Sequence, residues 1–130
     1  MIRTHRKYAM LKNGHWLAMY VTRKRLPSRN FGWIVDVCID ETKRQCDHWQ
    51  RHQRQSPITQ TNTGGLEGLS IVFKWIQELE QDIKDGDVIL VYWTDEKRHR
   101  AFKYLERLGF TEGTYFGKLC YYLIKTTKKA

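Results

Sequence analysis

Leu66, Leu69, Val72, Phe73, Ile76, Leu79 and Ile83 recur at three- and four-residue steps. That spacing predicts a helix with one face turned to a core. Thr63 ahead of it is a candidate N-cap, with Gly64 and Gly65 beside it. The pattern then changes. Val88-Ile89-Leu90-Val91-Tyr92-Trp93 is an unbroken apolar run entered through Asp85-Gly86. A run without alternation predicts a strand covered on both faces. A second helical stretch follows to Leu108, with Ala101, Leu105 and Leu108 on one face and Gly109 as the stop.

The flanks read as hairpins. Lys7–Lys12 and His15–Val21 lie either side of Asn13-Gly14, the strongest short hairpin signal, and Thr22–Arg25 continues or closes the second strand. Leu26–Asn30 is a turn, and Phe31–Asp40 reads as a third strand. Near the end, Thr111–Phe116 and Leu119–Ile124 flank Gly117-Lys118 as a second hairpin. Glu41–Thr61 is long and polar. A short helix over Gln45–Arg54 is one reading of it; a basic, glutamine-rich loop is the simpler one. Ser56–Thr61 then returns in extended form. Alternation of strand and helix makes the core α/β or α+β rather than a bundle.

At 130 residues, with 41% hydrophobic and 13% aromatic residues, the chain is expected to form one domain with a real core. No apolar run approaches the roughly 20 residues of a membrane span. Met1–Arg6 has no apolar stretch after its charges, so cytoplasmic synthesis is the default expectation. Three cysteines, Cys38, Cys46 and Cys120, are too few and scattered for a disulfide framework. Net charge is +9, and its placement is uneven. Residues 1–64 hold 12 Lys/Arg against 4 Asp/Glu, while residues 65–130 hold 11 against 10. An anionic partner for the first half is the implication: nucleic acid, an acidic protein surface or a phosphorylated cofactor.

Some residue types in these places carry chemistry. A glycine loop opening a helix suits a phosphate, because free N–H groups and the helix dipole both favour negative charge there. Turn-making alone is the plainer role for Gly64 and Gly65. Asp36 and Asp40 are candidate general bases; an outward, solvated carboxylate on a strand is the alternative. His48 and His52, four apart, with Cys46 nearby, form a possible zinc corner, though no second ligand pair follows. Arg23, Lys24, Arg25 and Arg29 are a candidate phosphate cluster or a solvated edge. Trp49 is available for stacking on a base.

The segment Ala101-Phe102-Lys103-Tyr104-Leu105-Glu106-Arg107-Leu108-Gly109-Phe110 resembles the Ala-x-x-x-Tyr-x-x-x-Gly-Phe segment of the GNAT superfamily of acetyl-CoA-dependent N-acyltransferases. The order around it, glycine loop, long helix, strand, helix and closing strand pair, is similar from Thr63 to Lys125. The resemblance implies one α+β domain over residues 1–130 with a mixed, mostly antiparallel sheet flanked by helices. It implies acetyl-CoA as cofactor, with no metal. The pantetheine arm would lie along the strand holding Val35 and Val37. The pyrophosphate would meet Gly64, Gly65, Leu66 and Gly68, and Lys97, Arg98 or the N-terminal basic cluster would face the 3′-phosphate. Glu67 stands at the position of the second loop glycine. The family's frequent general-acid tyrosine falls on Leu105, one residue from the candidate Tyr104; Tyr115, Tyr121 and Tyr122 are mostly structural, and one of them is an alternative proton donor. The acceptor would be an amine on a protein or small molecule. Small GNAT-like proteins also occur as internal virion proteins of short-tailed phages, so a non-catalytic structural module is the second reading. A basic nucleic-acid-binding module acting through residues 1–60 is the third.

Overall fold

In the computed structural model, residues 4–54, 65–93 and 96–127 are described. The chain runs β1 (Thr4–Met10), β2 (Trp16–Arg25), β3 (Phe31–Asp40), α1 (Lys43–Arg51), α2 (Gly65–Asp82), β4 (Val88–Tyr92) and α3 (Glu96–Phe102). A 3-10 helix (Lys103–Leu108), β5 (Thr111–Tyr115) and β6 (Lys118–Ile124) follow. The fold is mixed α+β: among the described residues, one six-stranded sheet in the order β1-β2-β3-β4-β6-β5, with three α-helices. Only the β3–β4 pair is parallel; the other four pairings are antiparallel.

Alternation along β3 decides what each face meets. Trp33, Val35, Val37 and Ile39 turn to one side, where Val72, Ile76 and Ile83 of the α2 region and Phe102 and Leu105 pack on them. Cys38 turns to the other side, where Tyr20 and Cys46 close a smaller cluster. Val88–Val91 is buried throughout, as its unbroken apolar run requires of a strand with both faces covered.

The β1–β2 hairpin forms, but with a five-residue connection, Leu11–His15, in which Gly14 takes φ 87°. Within Glu41–Thr61 the helical reading is the one that forms, as α1 over Lys43–Arg51 rather than Gln45–Arg54. Thr42 caps α1 by accepting from the Gln45 amide, and Cys46 is buried beneath it. The second helical stretch tightens into the 3-10 form at Lys103, and Gly109 ends it at φ 96°. The closing hairpin turns one residue earlier than read, at Phe116-Gly117, both at positive φ (52° and 78°). That pair of angles matches the twist of the flanking strands, at a steric cost for Phe116. The predicted extended return at Ser56–Thr61, and Thr63 and Gly64, lie outside the described residues. No helix among the described residues is long and apolar enough to cross a membrane.

Candidate functional site: the fork between β3 and β4

The parallel ladder runs from Gly32–Val88 to Val35–Val91 and stops. β4 continues to pair with β6 at Tyr92, opposite Cys120, while β3 runs on to Asp40 beside β2. The two strands therefore part after Val35 and Val91. Asp36 and Val37 are the first β3 residues past the fork. The first turn of helix α2 lies against the far end of β3, where Gly68 faces the Ile39 side chain, four residues past Val35. Of the expected cofactor residues, Val35 closes the ladder and Val37 lies just beyond it. Gly65, Leu66 and Gly68 open α2, and Arg98 lies in α3. The Glu67 carboxylate reaches the β1–β2 connection, where it accepts from the Lys12 amide at 3.1 Å.

The two strand carboxylates differ. Asp40 is 5% exposed, and its oxygens accept from the Trp49 indole at 2.8 Å and the Glu41 amide at 2.7 Å. It fastens α1 to β3. Asp36 faces the same side at the fork with one long contact, from the Gln50 amide group at 3.4 Å. Burial pushes its carboxyl above the usual range, against the opposing pull of Gln50 and the Lys118 charge. Tyr92, also on this side, is pushed up to about 12 by burial, with Cys120 and Asp36 adding to it.

Tyr104 is 47% exposed on the 3-10 segment, with the Arg107 guanidinium 5.1 Å from its ring centre. It borders a surface hollow of about 520 Å³ with Leu69, Phe73 and Lys74 of α2. Leu105 is fully buried. His48 and His52 do stand together, rings 4.5 Å apart, but Cys46 points inward to the carbonyls of Trp16 and Cys38. Among the described residues no group of three potential ligands converges on one point. The basic cluster is partly spent on aromatics: Arg23 lies 4.1 Å over Phe31, and Lys24 4.1 Å over Phe116.

Three arrangements went unread in the sequence. Asp47 accepts from the hydroxyls of Tyr8 and Tyr20, both at 2.6 Å, and binds α1 to the sheet. Asp87, 2% exposed, accepts from the Trp33 indole and Phe31 amide at 3.0 Å, from Asn30 at 3.3 Å and from the Lys84 amide at 3.4 Å. Burial would raise its carboxyl, but these donors outweigh it and hold it below the usual range. Its place just ahead of an apolar strand was the available signal. The third is a cluster on the helix face of the fork. Trp93 stacks on His99 at 4.1 Å and 9°, and both rings lie against Tyr121, at 5.2 and 5.8 Å. His99 Nε2 is bonded to the Glu112 carboxylate, and Nδ1 lies 3.8 Å from Glu96. The Tyr121 hydroxyl is buried beside the Glu112 carboxylate. Burial, and Glu112 beside it, push it up to about 12.

Set against known proteins, the chain matches no protein-family model, no curated protein and no solved structure.

Proposed function

We propose that this protein is a GNAT-like N-acyltransferase that moves an acetyl group from acetyl-CoA to an amine. The observation that supports it most is the fork: a parallel strand pair that parts, with a long helix starting against the far end of β3. A pantetheine amide is an extended peptide-like group, and strand main chain past Val35, at Val37, is the natural complement to it. The pyrophosphate lies at the start of α2, at Gly65, Leu66 and Gly68, where helix amides and dipole favour it. The Glu67 carboxylate in that first turn is engaged by the Lys12 amide at 3.1 Å. Arg98 meets the 3′-phosphate. Asp36, desolvated at the fork, takes the proton of the attacking amine; Asp40, with both oxygens engaged, holds α1 in place. Acetyl-CoA at millimolar concentration is expected to raise the melting temperature, as a ligand specific for the native state must. No shift would remove the cofactor claim.

Leu105 favours a second reading. A buried aliphatic residue stands where the family carries a tyrosine, and Tyr104 faces solvent. On that reading the domain is a non-catalytic structural or interaction module, of the kind found inside phage particles, with its basic first half toward nucleic acid or an assembly partner. Salt-sensitive binding of nucleic acid combined with no response to acetyl-CoA would select it.

A further inference from the structure

We propose that the outward face of α1 binds single-stranded nucleic acid, with the backbone along Arg44 and Arg51 and a base in the hollow beside His52. This rests on the nucleic-acid arm of the second reading above and narrows it to one helix.

The helix sorts its charges by side. α1 packs on the sheet through Cys46, fully buried against Tyr20 and Cys38. Its one carboxylate, Asp47, is engaged there too: it accepts from Tyr8 and Tyr20 and lies 3.6 Å from the Arg6 guanidinium. Burial would raise that carboxyl, but the two phenols and the Arg6 and Arg51 charges outweigh it and hold it below the usual range. On the side opposite Cys46, Arg44, His48 and Arg51 recur at i, i+4 and i+7, one stripe of a helix. All three are exposed, as are Lys43, His52 and Arg54. Arg44, Arg51 and Arg54 form no ion pair among the described residues. Lys43 lies 4.5 Å from the Trp16 ring centre, a contact that places its charge without neutralising it. From Glu41 to Arg54 the one exposed carboxylate is Glu41, which precedes the helix. A merely solvated face mixes both signs. This one carries a single sign, and an anion relieves its self-repulsion.

Spacing and rings narrow the anion. Arg44 and Arg51 are seven residues apart, so about 10 Å along the axis. That is the reach of about three phosphates on one strand, at roughly 3.4 Å each. Beside them His48, Trp49, His52 and Arg54 line a hollow of about 290 Å³. The His48 ring stands edge to face on Trp49, 5.4 Å between centres, and 4.5 Å from the His52 ring. Asp40 holds the Trp49 indole at 2.8 Å, so one wall of the hollow is fixed. Flat rings and a guanidinium beside a row of cations suit a base and its phosphate. An acidic peptide brings the charge without a flat ring. A duplex keeps its bases stacked inside, out of reach of such a hollow.

A short fluorescein-labelled oligothymidine is the probe, read by anisotropy over a salt series. The wild type is expected to bind it, with affinity falling as salt rises. Arg44→Gln combined with Arg51→Gln should weaken binding roughly tenfold at about 0.1 M salt and flatten the log–log salt slope by about 1.4, since each phosphate contact on a single strand carries about 0.7. Arg100→Gln combined with Arg107→Gln removes the same charge from α3 and the 3-10 segment, which pack on the other side of the sheet, and should leave the slope unchanged. An abasic strand of equal length should bind about fivefold more weakly than oligothymidine, the loss of one stacked base. His52→Ala should narrow that difference. Equal losses in the two double variants, equal affinity for the abasic strand, or displacement by duplex or polyglutamate at the same charge concentration would each overturn the proposal. Binding that the Arg44 and Arg51 changes leave intact overturns it too, while the second reading survives with its contacts elsewhere. A wild type with no salt-sensitive binding removes both.

Discussion

The two ends of the β3–β4 pair are built from the same materials and arranged oppositely. Both have an aspartate, a tryptophan and a helix end close by. At the entry end, Asp87 is saturated: four donors converge on it. The same turn is tied to the end of β6, where Gly86 donates to the Lys125 carbonyl and Lys125 donates back to the Asp87 carbonyl. At the exit end the strands part, and Asp36 keeps one long contact. The lesson lies in the carboxyl groups. Donors hold Asp87 below the usual range, so its charge stabilises the fold; burial lifts Asp36 above it, so its charge costs stability. A buried charge that its own protein leaves poorly compensated is a candidate for work on something else.

The comparison breaks most sharply at Asp87. Asp87→Ala strands several buried donors and is expected to cost about 3 kcal/mol in urea denaturation. The depressed carboxyl contributes stability above the carboxylate range, and that contribution fades as pH falls through it. The wild type should therefore lose stability on acidification that the variant has already lost; equal acid profiles would contradict the role.

Gly86→Ala comes next, at about 1–2 kcal/mol by thermal melting. Gly86 sits at φ 89°, and an added Cβ would lie 2.7 Å from the Asn30 amide nitrogen. A neutral result would show that the entry end is less tightly locked than described.

Asp36 sharpens the contrast in the opposite direction. Asp36→Asn is expected to raise stability at pH 7 by roughly 1 kcal/mol, because a neutral amide avoids the desolvated charge. The raised carboxyl means this gain appears as pH climbs through its native value and is absent below the unfolded one. Denaturation at pH 3.5 and pH 7 should show the gain only at the higher pH. A loss at pH 7 would make Asp36 another structural carboxylate.

The smallest effect lies at the tip of the closing hairpin, near the exit end, where the Tyr92 hydroxyl donates to the Tyr115 carbonyl. Phe116→Asn places Asn-Gly at a turn with two positive φ angles and should add a few tenths of a kcal/mol by melting, the gain reduced by loss of the Lys24 contact.

Sequence pattern carried the long helix and β3, because both present sustained apolar periods to a core. It left α1 as one of two readings because that helix buries little; Thr42, Asp47 and Trp49 hold it by polar contacts that hydropathy does not record. The Lys103–Leu108 segment kept its apolar face while tightening, a change of winding that periodicity of three to four residues does not resolve. At the site, Asp36 was visible as a carboxylate in an apolar strand, yet only the ladder's end shows that it stands at a fork. His99 and Glu112 meet because β5 folds back on β6 and brings Glu112 opposite Tyr121. No local motif announces such a pairing.

Hydrogen exchange over the stretch holding Asp36 and Val37, with and without acetyl-CoA, tests the central claim most directly. The account predicts slower exchange there when acetyl-CoA is present, with the entry end at Phe31–Trp33 unchanged. Exchange at Asp36 and Val37 that ignores acetyl-CoA, under conditions where the ligand is in large excess, would contradict it.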